Sequence, residues 1–131
     1  MALRMKFRKY DYEKEILPLR KMFCQLYPMT FFPPAGKIKV PLKCGIKGDL
    51  KNNHPEIPFR LLEAFLRSYT SGPKYTKAMM YGSDRIDLNG KRCGIVGKGD
   101  SAYALQRRRW QIQRQKERVN AAQSSSQVIS A

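Results

Sequence analysis

The chain carries eight prolines, and all of them fall at or before residue 73. Proline lacks an amide donor and clashes with the preceding helical turn, so it starts, kinks or stops a helix. Pro18, Pro28, Pro33, Pro34, Pro41, Pro55, Pro58 and Pro73 therefore punctuate the first half into short segments. Between them the apolar residues recur at helical spacing. Ile16, Leu19, Phe23 and Leu26 form a stripe within Asp11–Tyr27, Asp11 stands where a cap belongs, and Pro18 predicts a kink or a restart. Lys37–Val40 reads as a short strand, and Asp49-Leu50 as the start of a short helix reaching about Asn53. Ile57, Leu61, Leu62, Phe65, Leu66 and Tyr69 make the clearest stripe, with Arg60, Glu63 and Arg67 on the opposite side. Pro73 opens one more short helix through Met80.

Beyond Gly82 the pattern changes. Arg85–Leu88 and Lys91–Val96 flank Asn89-Gly90, a pair suited to a tight hairpin turn in which both positions have positive φ. Gly97 and Gly99 end the hairpin, and Asp100 or Ser101 caps a last helix running through Tyr103 and Leu105. Its end carries Arg107, Arg108, Arg109, Arg114, Lys116 and Arg118 against the single acid Glu117. Residues after about Asn120, with Ser124-Ser125-Ser126, read as a disordered tail. The domain plan is a basic arm at 1–10, one domain at 11–119 and the tail at 120–131. The fold class is α+β, predominantly helical and compact, with a small β-hairpin.

Charge sets the class of partner. Lys and Arg number 26 against 10 Asp and Glu, for a formal net charge of +16 and a pI near 10.1. Self-repulsion at this charge opposes compaction, so an anionic partner is expected, nucleic acid before a lipid surface. No run approaches the roughly 20 apolar residues of a membrane helix, and the N-terminus has no secretory apolar core. Cys24, Cys44 and Cys93 are odd in number and far apart, and His54 is the only histidine. Neither a zinc site nor a disulfide framework fits; reduced, mostly buried thiols in a cytoplasmic protein do.

Catalytic patterns are lacking. His54 lies among Asn and Pro with no nucleophile motif around it, and Gly97-Lys98-Gly99 is too short for a phosphate loop. Asp84, Asp87 and Asp100 read as turn and cap residues rather than metal ligands. No enzyme, cofactor or metal is expected. Basic residues interleaved with aromatics are more telling: Lys74, Tyr75, Lys77, Tyr81 and Arg85 surround the passage from helix to hairpin. Cationic donors there suit a phosphate, and a tyrosine ring suits a base or sugar, although Tyr75 packing into the core with solvated lysines reads equally well. The arginine run spreads around its helix and suits phosphate gripping or an anionic surface. Trp110 and Ile112 alone make a poor lipid face.

The order of several short pieces resembles the ProQ/FinO family of bacterial RNA chaperones. They are Pro41-Leu42-Lys43-Cys44-Gly45-Ile46, Asp49-Leu50, Leu66-Arg67-Ser68-Tyr69-Thr70-Ser71, Lys74-Tyr75, Gly82 through Gly90, and Cys93-Gly94. The resemblance covers roughly residues 12–110. It implies a domain that binds structured RNA at the base of a terminator-type hairpin and its single-stranded 3′ uridine tail. It further implies a pocket for the 3′-terminal nucleotide at Tyr75 and Arg85, with Lys43 and Arg67 on the RNA face. Gly45, Arg60, Lys74 and Arg107 join these as RNA-binding candidates. Family members often carry a basic residue where Glu63 stands and another near Phe59, so contact along that helix is expected to be weaker or shifted to Arg60; a family lysine maps to Gln106, with Arg107 adjacent. The chain reads as a minimal form without a further C-terminal domain.

The expectation is a monomeric RNA chaperone in post-transcriptional regulation by small or antisense RNA. A ribosome-associated or nucleic-acid-compacting basic protein is the competing class. Tyr75 and Arg85 are read as positions that can be truncated to alanine without loss of the fold.

Overall fold

A computed structural model of the chain describes residues 9–36 and 38–130. The arm expected at 1–10 lies almost wholly outside the described residues. Tyr12–Ile16 form a π-helical turn that passes directly into α1, Leu17–Leu26. The Asp11 carboxylate accepts from the Lys14 amide at 2.8 Å, as a cap does, and Pro18 occupies the first turn of α1. The helix thus restarts at the proline, where the missing amide would have had no partner. Ile16, Leu19 and Phe23 are buried, but Leu26 is 52% exposed because α1 ends beside it.

The next elements are α2 (Ile46–Asn53), α3 (Phe59–Ser71) and α4 (Pro73–Ala78). Residues 38–40 are not a strand; the one extended contact in this region is a parallel bridge between Leu42 and Ile86. Strands β1 (Asp84–Ile86) and β2 (Arg92–Ile95) pair antiparallel with a bulge between the Asp84–Ile95 and Ile86–Arg92 pairs. The bridge lets Ile86 donate to Pro41 O at 2.9 Å and accept from the Lys43 amide at 3.0 Å, so segment 41–43 is bound to the hairpin edge.

Phe23, Phe31, Phe65 and Tyr69 form the centre of the core, with Phe23–Phe65, Phe31–Tyr69 and Phe31–Phe65 ring centroids 5.2, 5.3 and 5.4 Å apart in edge-on geometry. Leu50 of α2 and Leu62 of α3 close the same cluster. Arg20 is also buried, its guanidinium donating to Phe32 O at 2.8 and 3.1 Å and covering the Tyr69 ring at 4.9 Å. Periodicity gave no sign of a cation at that position.

The hairpin turn differs from the expected one. Among the described residues only glycines have positive φ, so Asn89 does not adopt it. Instead the Asp87 carboxylate accepts from the Asn89 and Lys91 amides, each at 2.9 Å, and Gly90 alone takes φ +77°. This arrangement turns Leu88 into the core. A Cβ at Gly90 would stand 2.8 Å from Met29 Cβ.

The last helix, α5, spans Lys98–Ser130 and so continues past Asn120, where sequence placed a disordered tail. Helix-forming Ala121, Ala122 and Gln123 carry no breaking residue, which accounts for the continuation. Asp100 lies inside its first turn rather than at the cap. Tyr103 and Leu105 are exposed, Cys24 is half-buried, and Cys44 and Cys93 are exposed rather than buried, Cys44 in the turn before α2 and Cys93 on β2, which faces solvent. Among the described residues no helix is long and apolar enough to cross a membrane.

Two measurements test this packing. Gly90→Ala should lose on the order of 1–3 kcal/mol in urea titrations, and Met29→Ala should not rescue it, because the obstructing atom is Met29 Cβ. Lys39 donates to Tyr69 O at 2.6 Å, and burial, helped by Arg20 and Lys74, lowers its pKa to about 8. Between pH 8 and the ordinary lysine value the unfolded chain holds a proton that the native chain has released, so stability contributed at this site rises with pH. Relative to Lys39→Met, the wild-type protein should therefore gain stability from pH 7.5 to about 10; a flat difference would refute the burial effect.

Candidate functional site

Segment 41–43 lies between α4 on one side and the hairpin on the other. Alternation along β1 turns Arg85 inward, between the exposed Asp84 and the half-buried Ile86. Its Nη1 donates to Leu42 O at 2.8 Å and its Nη2 to Asp100 Oδ2 at 2.8 Å. Across Leu42, the Leu42 amide donates to the Tyr75 hydroxyl at 3.1 Å. Two side chains from separate elements thus grip the two polar groups of one peptide residue. Tyr75 and Arg85 are each only 8% exposed, whereas the Asp100 side chain is 62% exposed.

Burial pushes the Tyr75 phenol up from its ordinary pKa, opposed by the Leu42 amide and by the neighbouring Arg85 charge. The hydroxyl is therefore a neutral donor and acceptor at physiological pH. Beside it, the first turn of α5 presents amides that lack helical partners, and Lys98 stands 5.8 Å from the Tyr81 ring. Guanidinium, phenol, carboxylate and a helix start make a cluster able to donate to phosphate oxygens and accept from sugar hydroxyls.

The other predicted residues fall into two further groups. Gly45, with φ +84°, breaks the chain into α2 and lines a shallow groove of about 370 Å3 with Arg67, Lys47, Glu63 and Leu66. Arg67 is exposed there, while Glu63 lies 3.8 Å from Lys47 and 3.9 Å from Arg60. Lys43 points to Asp49, 2.8 Å away, and this partner raises its pKa. Lys74 and Arg107 belong elsewhere. Lys74 Nζ donates to Pro34 O and Gly36 O, and Arg107 Nε donates to Ser71 O at 3.3 Å. Both tie loops and helix ends together.

Asp100 was missed as part of this cluster because a carboxylate early in a helix reads as a cap; only the fold sets it against Arg85. Asp49 was missed for the same kind of reason, being six residues from the Lys43 it meets. Among the described residues no group of three His, Cys, Asp or Glu side chains could hold a metal ion.

The ProQ/FINO family model matches residues 13–123. The chain belongs to the ProQ/FINO family. Its fold is similar to that of a ProQ homologue from Legionella pneumophila, with a TM-score of 0.63 and 24% identity over 78% of this chain and 87% of that one. It is also similar to a FinO-like RNA chaperone from Neisseria meningitidis MC58, with a TM-score of 0.57 and 27% identity over 70% and 92% of the respective chains. The predominantly helical fold with one antiparallel hairpin is therefore shared within the ProQ/FINO family.

Burial changes what truncation at this site would do. Tyr75→Ala and Arg85→Ala would open the core and orphan Leu42, so both are expected to cost stability, which urea unfolding would register. Tyr75→Phe isolates the bond: it should cost about 1–3 kcal/mol by leaving the Leu42 amide unsatisfied. Equilibrium urea unfolding checks this, and an unchanged midpoint would show that the amide finds another partner.

Proposed function

We propose that this ProQ/FINO protein is an RNA chaperone that binds terminator-type stem-loops through their single-stranded 3′ U-rich tail. It would act in post-transcriptional regulation by small or antisense RNA. The observation that carries this reading is the convergence of Tyr75 and Arg85 on Leu42 beside the start of α5, next to the exposed Asp100 carboxylate. A terminal ribose offers two hydroxyl donors for a carboxylate or phenol, and its phosphate offers acceptors for the guanidinium and the free helix amides. DNA lacks the 2′-hydroxyl, so such a cluster favours an RNA end. The RNA-chaperone character of the Neisseria relative supports the same class of ligand.

Lys43 and Arg67 supply the longer contact. Lys43 is part of the segment that Tyr75 and Arg85 hold, and Arg67 with Gly45 borders the adjoining groove. An RNA strand leaving the end pocket would meet these cations in turn. Arg60 extends the surface along α3, with Glu63 between it and Lys47.

Fluorescence anisotropy with a short hairpin carrying a 3′ uridine tail tests the proposal. The tailed RNA with a free 3′-hydroxyl should bind more tightly than its 3′-phosphate form, a tail-less hairpin or duplex DNA. Asp100→Asn, which spares the core, should weaken that preference. Arg67→Gln should lower the slope of log K against log salt by about 0.7–0.9 without removing it. Equal binding to all four ligands would instead point to charge-driven association of the ribosome-binding or compacting kind.

A further inference from the structure

Most acidic groups near the site just described are engaged with a base: Asp49 with Lys43, Glu63 with Lys47 and Asp100 with Arg85. The middle of α5 differs. There it packs on α4, and a groove of about 660 Å3 opens between these helices and the loop at 35–36. Gln111 ties α5 to α4 by accepting from Thr76 Oγ1 at 3.0 Å, and to the end of α3 by donating to Ser71 O at 2.7 Å. This clamp fixes the rotation of α5 and brings Lys77, Arg108, Arg114 and Arg118 to the groove, whose lining includes no carboxylate. None of Lys43, Arg67 and Arg85 lines it.

Trp110 stands on this groove and is 55% exposed. The Arg107 and Arg114 guanidiniums lie 6.0 and 5.3 Å from its ring. An exposed indole contributes nothing to the core, and among cations it offers a flat π-face where a base can stack. Arg107 is tied to Ser71 O, whereas the Arg114 guanidinium can exchange the ring for a phosphate oxygen, uncovering that face. A duplex buries its base faces, and an acidic peptide has little use for a stacking surface; a single strand uses both features at once.

We propose that the groove between α4, the 35–36 loop and the middle of α5 binds single-stranded RNA, with Trp110 stacking on a base and Lys77, Arg108, Arg114 and Arg118 holding the backbone. The site needs no 3′-hydroxyl. It rests on the reading of the chain as an RNA-binding protein, and adds a second strand-holding surface to the end-binding cluster. Two such surfaces on one chain would hold a hairpin's end and an unpaired segment together, the geometry needed to promote pairing.

Trp110 is the only tryptophan, so its emission reports this groove alone. The full-length protein is titrated with a single-stranded RNA oligonucleotide blocked by a 3′-phosphate, first free and then saturated with the tailed, 3′-hydroxyl hairpin. Emission should be quenched saturably in both cases, and the doubly substituted Arg114→Gln/Arg118→Gln protein should bind the oligonucleotide about tenfold more weakly. The same variant should keep its anisotropy affinity for the tailed hairpin within about threefold. No quenching while the hairpin still binds would overturn the groove site and leave the end-binding proposal standing. Quenching without any preference for a free 3′ end would do the reverse. Equal quenching by duplex RNA, or by an acidic peptide, would overturn single-strand binding at the groove.

Discussion

The peptide groups of Leu42 are held from both sides, and much of the molecule's layout follows from that grip. Arg85 takes the carbonyl, Tyr75 takes the amide, and Ile86 bonds to the residues on either side. Segment 41–43 comes between a six-residue helix and a two-stranded hairpin, neither of which could persist alone in water. Joined through Leu42, they become one unit. Arg85 extends the connection to α5 by its bond to Asp100. A buried guanidinium is costly unless its donors are satisfied, so these bonds also explain why an arginine is tolerated there.

This interlock has a consequence for function. Tyr75 and Arg85, which the proposed function assigns to an RNA end, are also structural, and the exposed Asp100 carboxylate is where the cluster meets solvent. Preorganisation follows: the donors are positioned before ligand arrives and little side-chain entropy remains to be lost. The charge balance works in the same direction. Carboxylates close to the end cluster temper its positive field and orient its cations, whereas the middle of α5 keeps its positive field almost untempered. Under the two proposals, orientation would serve recognition of an end and the open field capture of any strand.

Much of the helical framework was legible because burial leaves a period in the sequence. The stripe from Leu62 to Tyr69 and the restart at Pro18 follow from side-chain spacing and from the missing proline amide. The strand expected at 37–40 is absent at 38–40 because alternation over so few residues is a weak signal, and the partner strand that would decide it is far away in sequence. The turn at Asn89-Gly90 failed for a chemical reason. Asp87 offers its carboxylate to two amides of the loop, which stabilises an alternative to two positive-φ residues.

By itself the sequence narrowed the partner to something anionic, through net charge, and marked the helices, through periodicity. It also carried the short motifs by which the ProQ/FinO resemblance and the pairing of Tyr75 with Arg85 were read. Only the tertiary structure decided that this pair is buried on Leu42, that Asp100 serves Arg85 rather than capping a helix, and that Lys74 and Arg107 brace loops. Only the structure, too, set Trp110 over a basic groove. Periodicity reports which face of an element is buried, because burial acts on each residue separately. Hydrogen bonds and grooves between elements depend on relative placement, and no local pattern encodes that.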